Sequence, residues 1–139
     1  ALYVAMRKVK PGVTVGELGT AIDKFIKDNN KKNPRMKYSI VKDFCGHGIG
    51  SEFHEEPQVV HYKNSDKRKL KEGMCFTIEP MINAGKFGCS VDSEDDWTVY
   101  TGDGKNSAQW EHTILVTRDG CEVLTLRGDE SIPRNMVNK

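Results

Sequence analysis

The stretch Phe44-Cys45-Gly46-His47-Gly48-Ile49-Gly50-Ser51-Glu52-Phe53-His54-Glu55-Glu56-Pro57 constrains this chain more than any other. Glycines at 46, 48 and 50 strip side-chain bulk from both sides of His47 and open backbone angles that other residues avoid. The sequence therefore predicts a loop that presents an imidazole at close range to a bound group. A packed structural histidine rarely needs three small neighbours. Two carboxylates, Glu79 and Glu111, arrive later in the chain. With His47 they are suitable ligands for a divalent first-row metal, since imidazole and carboxylate favour Zn, Mn, Fe or Co over a thiolate-loving ion. From pattern alone, glutamates on strands usually belong to a solvated face. A thiol hydrolase using Cys45 with His47 or His54 as base is the mechanistic rival, and the plainer reading of Cys45 is a small pocket-lining residue. The glycine pattern lacks the G-K-[ST] ending of a phosphate loop.

The 139 residues suit one domain, 1–139, with a single core. A formal charge of +1 gives no reason to expect nucleic acid or an anionic membrane surface as the main partner. No apolar run approaches the roughly 18 residues of a membrane span, and Arg7 and Lys8 interrupt the first segment, so neither a span nor a signal peptide is visible. The four cysteines contain no C-x-x-C pair, which points to a reducing, cytoplasmic setting.

Ala1 to Val9 has helical spacing, with Leu2, Ala5, Met6 and Val9 on one face and Lys10-Pro11-Gly12 as the stop. It has no N-capping residue, which suggests a chain that continues upstream. Thr14 and Glu17 have the spacing of a capping box for a second helix. Leu18, Ala21, Ile22, Phe25 and Ile26 form its apolar stripe, opposed by Lys24, Lys27 and Asp28, and Asn29-Asn30 is its expected end. The charged run from Lys27 to Lys37 reads as a solvated connection. Strands are expected around Tyr38–Phe44, Gln58–Tyr62, Met74–Glu79, Trp97–Thr101, Ser107–Thr117 and Cys121–Leu126. Pro80 should end pairing after Glu79. A loop is expected over Asn83–Asp96, a hairpin across Thr101–Lys105, and a loose tail after Arg127. Helices followed by antiparallel strands indicate an α+β domain.

Four blocks in this order, Cys45 to Gly50, Phe53 to Val59, Phe76 to Met81 and Ser107 to Thr113, closely resemble the type I methionine aminopeptidases. The resemblance runs from Ala1 to about Pro133 and covers the C-terminal half of that enzyme. It implies a pita-bread fold, a curved antiparallel sheet with helices on its outer face and a dinuclear metal centre on its inner face. It also implies a metal-dependent aminopeptidase that removes the N-terminal methionine from nascent proteins or Met-initiated peptides. Carried over motif by motif, His47 and Glu79 would bind one ion and Glu111 would bridge both. Glu79 would take the proton of the attacking water, and His54 would act at the scissile carbonyl. Phe53, Trp97 and Cys45 would line the substrate slot.

Departures from the family pattern qualify these implications. Two aspartates and a further histidine of the family precede the matched half, and Asp23, Asp28 and Asp43 do not sit in its aspartate motifs. Three of the five family ligands are present, so one ion at most is expected. The N-terminal half is then expected as a missing partner. Asp96 stands where the family usually has glycine, and the rim from Lys86 to Asp95 is divergent. His61, His112 and Trp110 read as structural. A truncated, non-catalytic peptide-binding relative is the alternative from another class, and the resemblance leaves ribosome association open.

Overall fold

The computed structural model describes residues 1–138. In chain order the elements are helices α1 (Leu2–Met6) and α2 (Val15–Lys32), then strands β1 (Ser39–Ile40), β2 (Gly46–Gly48), β3 (Glu55–Val59), β4 (Cys75–Ile78), β5 (Met81–Asn83), β6 (Cys89–Val91), β7 (Val99–Thr101), β8 (Ser107–Gln109), β9 (His112–Val116), β10 (Gly120–Val123) and β11 (Asn135–Val137). The α+β expectation is met.

Six strands form one antiparallel sheet in the order β11-β10-β9-β4-β2-β3. Alternation puts Phe76, Ile78, Ile114 and Val116 on one face, all essentially without solvent exposure. Leu2, Ala5 and Met6 of α1, Val9 beyond it, and Leu18, Ile22 and Ile26 of α2 close over that face to complete the core. The opposite face of β4 carries Thr77 and leads to Glu79. Burying each large side chain contributes about 1.5–3 kcal/mol, which is why the two helices stay on the same side.

The helix starts follow the sequence, and the ends shift. The Thr14 N–H and hydroxyl both donate to Glu17 Oε2, at 2.7 and 2.8 Å, fixing the first turn of α2. α2 runs on past Asn29-Asn30 to Lys32, so part of the expected connection is helix. α1 stops at Met6, and tighter turns (Lys8 N–H to Ala5 O, Val9 N–H to Met6 O) still deliver Val9 to the core. Phe25 is 42% exposed, because it lies at the edge of a stripe wider than the sheet surface it meets.

The strands depart further from expectation. Gly46–Gly48 is a strand between β3 and β4 rather than a loop. The first expected strand shrinks to Ser39–Ile40, and Gln58–Tyr62 is replaced by β3, shifted towards the N-terminus. The expected loop over Asn83–Asp96 contains β6, which pairs with β7, so the hairpin expected between the segments around Thr101 and Ser107 does not form. β8 pairs instead with β5 in a second sheet ordered β1-β5-β8. The tail after Arg127 is tied down. β11 pairs with β10, Met136 is buried, and the Asn138 amide donates to the Met6 and Val9 carbonyls at 3.1 and 2.7 Å.

One discontinuity prepares the site. β4 and β9 pair as far as Ile78 with His112, and pairing resumes at Met81 with Gln109 in β5 and β8. The register runs on unchanged across Glu79-Pro80 on one strand and Trp110-Glu111 on the other. Pro80 has no N–H to give the ladder, so the pairing breaks there and the two strands pass from one sheet to the other. The segment expected as one strand, Ser107–Thr117, is thereby split in two.

Candidate metal centre

His47, Glu79 and Glu111 come together on the sheet face opposite the helices, each offering a ligand atom within 4.8 Å of the others. His47 is the middle residue of β2, while the two glutamates sit in the paired gaps just described. Strand alternation explains their direction. Glu79 opposes Ile78 and Glu111 opposes His112, whose side chains are buried on the core side.

The glycines beside His47 act through space rather than through backbone angle. A Cβ on Gly46 would lie 2.3 Å from the Thr77 carbonyl oxygen, and one on Gly48 would lie 2.1 Å from that of Glu56. The left-handed glycines are elsewhere, at 12, 73 and 104. Bare backbone therefore lets β2 sit tightly between its neighbours and holds the imidazole at a fixed depth.

His47 and Glu79 are oriented by buried polar groups. His47 N–H donates to Thr77 Oγ1 at 2.9 Å, and the Thr77 hydroxyl donates to Glu79 Oε1 at 2.9 Å. His47 Nδ1 lies 2.9 Å from the Gly48 carbonyl oxygen, which can only accept, so Nδ1 carries the proton. Nε2 then faces Glu79 Oε1 at 3.6 Å. One imidazole and two carboxylates converging here suit a cation between them, and a hydrogen bond at the other ring nitrogen is a usual companion of metal ligation. Burial pushes the Glu79 carboxyl pKa upward. The Thr77 hydrogen bond opposes that shift, the charge of Glu111 adds to it and His47 opposes it.

All seven residues singled out in the sequence line one open groove of about 1010 Å³: Cys45, His47, Phe53, His54, Glu79, Trp97 and Glu111. The His54 ring meets His47 edge-on at 4.3 Å between centroids and Phe53 at 4.6 Å. Phe53 is 68% exposed and Trp97 85%, so both border the groove as rim. Asp96, with φ of 51°, carries Trp97 on the β6–β7 ribbon, whose Val91 and Val99 add an apolar wall. Burial raises the Cys45 thiol pKa, and the charge of Glu79 adds to it.

Two supporting residues escaped the sequence reading. Thr77 contacts both His47 and Glu79, and its place two residues before the glutamate in an expected strand, hence on the same face, was the available signal. His61, expected to be structural, is buried, and its Nε2 accepts the Glu79 N–H at 3.1 Å, replacing the ladder bond lost at the sheet break.

A family model described as metallopeptidase family M24 matches residues 1–118. The methionine aminopeptidase of Escherichia coli (strain K12) is 52% identical over 134 residues, covering 96% of this chain and 48% of that protein. That of Buchnera aphidicola subsp. Schizaphis graminum is 46% identical, covering 100% and 50%. Among solved structures, methionine aminopeptidase from Rickettsia prowazekii aligns with a TM-score of 0.78 at 46% identity, covering 90% of this chain and 50% of that one. Prolidase from Pyrococcus furiosus aligns with 0.62 at 28% identity, covering 91% and 29%. The chain spans about half the length of the curated relatives it matches.

Proposed function

Since the chain belongs to metallopeptidase family M24 and has its pita-bread fold, we propose that it forms the C-terminal half of a methionyl aminopeptidase catalytic domain. Its substrates would be nascent protein N-termini and Met-initiated peptides. The convergence of His47, Glu79 and Glu111 carries this reading. A divalent ion, Co, Mn, Fe or Zn, held by these three side chains would supply Lewis-acid polarisation of a peptide carbonyl and a water acidified towards neutrality. The three ligands suit one ion per chain at most, and calorimetry finding two tightly bound ions would contradict that count.

The remaining steps belong to the chain's own side chains. Glu79 would accept the proton of the attacking water, and the upward push of burial on its pKa supports that role. His54 would donate to the oxygen on which charge develops. Phe53, Trp97 and Cys45 border a groove in which a thioether gains sulfur–aromatic contact. The raised Cys45 pKa weighs against a thiolate nucleophile. Four unpaired cysteines and the absence, among the described residues, of a helix long and apolar enough to cross a membrane suit a cytoplasmic enzyme, with ribosome association compatible with the substrate.

The test is release of free methionine from Met-Ala-Ser by the full chain. Turnover that disappears with chelator, returns with Mn(II) or Co(II), and is absent in Glu79→Ala supports the proposal. Binding of the peptide without turnover under any metal favours a non-catalytic peptide-binding module instead.

A further inference from the structure

Glu111 lies outside the strand pairing on both sides, in the gap between β8 and β9. Its neighbours are nevertheless fixed, and both by the same carboxylate. Glu130, whose side chain is 5% exposed, accepts at Oε1 from His112 Nε2 at 2.9 Å, from Trp110 Nε1 at 3.3 Å and from the Tyr3 hydroxyl at 2.7 Å. Its Oε2 accepts the Arg127 N–H at 3.0 Å. His112 Nδ1 meets Thr125 Oγ1 at 3.1 Å, and that oxygen also accepts the Thr113 N–H at 3.0 Å. The Arg127 guanidinium covers the Trp110 ring at 3.7 Å.

We propose that Glu130 is a positioning residue for Glu111, clamping the side chains on either side of it so that the Glu111 carboxylate is aimed at His47 and Glu79. In extended chain, alternate side chains point to opposite faces. Anchoring residues 110 and 112 on one face therefore sets the backbone at 111 and sends its side chain to the other. No ladder does this work at Trp110-Glu111, because Pro80 stands opposite. The clamp also joins the tail after β10 and helix α1 to the metal face, through Tyr3. Trp110 and His112, which read as structural from the sequence, thus act on the site through Glu130.

This inference rests on the proposed metal site, and the experiment separates the two. Mn(II) affinity is measured by electron paramagnetic resonance of the free ion, for the full chain and for Glu130→Gln, Glu111→Ala and the double variant. The measurements are made well below the unfolding temperature, with folding checked by circular dichroism. The expected result is a Kd weakened about 10- to 100-fold in Glu130→Gln, with no further loss when the same change is added to Glu111→Ala. A merely structural Glu130 would lower Tm and leave the Kd of the folded protein unchanged, and an unchanged Kd overturns the proposal. So does an equal loss in the Glu111→Ala background. If Glu130→Gln does not fold, Trp110→Phe removes a single donor to the clamp and is expected to weaken Kd several-fold; an unchanged Kd there is equally fatal. If the parent chain binds no Mn(II), the metal reading fails. Crystallography of Glu130→Gln then decides the positioning role: a Glu111 carboxylate swung away from His47 and Glu79 supports it, and one still in place overturns it.

Discussion

At the scale of single residues, each proposed ligand depends on a neighbour that would not itself touch a metal. Thr77 is the clearest case, since one hydroxyl accepts from the His47 N–H and donates to Glu79. Thr77→Val keeps the shape and removes both bonds, leaving a backbone donor without a partner. It should lower folding stability by about 1–3 kcal/mol and weaken Mn(II) binding about 10-fold or more, as read by urea unfolding and by calorimetry. Glu130 gives a pH signature. Hydrogen bonds from Tyr3, from the Arg127 N–H and from His112 hold its carboxyl pKa down to about 2, against 4.5 in the unfolded chain. On acidification the unfolded chain takes up this proton first, so the contribution is complete above about pH 4.5 and is lost as pH falls towards 2. The stability gap between the parent chain and Glu130→Gln should be constant near neutrality and close progressively below pH 4.5. A gap that closes above pH 5 would assign the effect to another group.

At the scale of elements, the decisive feature is how closely β2 is held by its two partners. A Cβ on Gly48 would overlap the Glu56 carbonyl oxygen and one on Gly46 that of Thr77, both of them backbone atoms that cannot rotate away. Gly48→Ala should therefore force β2 and β3 apart and cost about 3 kcal/mol or more, with loss of metal binding in whatever folds. Thermal unfolding within a degree or two of the parent chain would show that the sheet accommodates the methyl. The sequence showed that these glycines matter and misidentified the element. Alternating glycines resemble a loop because the need for them at 46 and 48 lies in the close approach of the flanking strands β4 and β3, not in local φ and ψ. The same non-locality explains the other misses. The partners of β8 and β11 are set by pairing with segments that local pattern does not reveal. By contrast, the Thr14–Glu17 cap, the Leu18–Ile22–Ile26 stripe and the Met74–Glu79 strand are local signals and were legible. The Pro80 break was legible too, but not its consequence: the opposite strand breaks at Trp110-Glu111, and both glutamates end up in one gap.

At the scale of the molecule, the proposed ligands bind together parts that the hydrophobic core joins only indirectly. The core lies between the helices and one face of the six-stranded sheet. On the other face, His47 belongs to β2, Glu79 follows β4, and Glu111 precedes β9 at the passage from the second sheet. The residue types at this centre were readable from the sequence, because ligand chemistry is written in side chains. Their convergence required the register that sets the two sheet gaps side by side. A cation at this point would cross-link both sheets in the folded state and find no such arrangement in the unfolded one. Binding to the folded state alone stabilises by RT ln(1 + [L]/Kd), about 2.7 kcal/mol at a free concentration of 100 Kd. For a domain of this size that corresponds to a Tm increase of roughly 10 °C. Differential scanning calorimetry with Mn(II) at that excess should show the increase, EDTA should reverse it, and both His47→Ala and Glu111→Ala should flatten it. An increase that survives in both variants would place the stabilising ion elsewhere on the chain and dissolve the link between this centre and the cohesion of the two sheets.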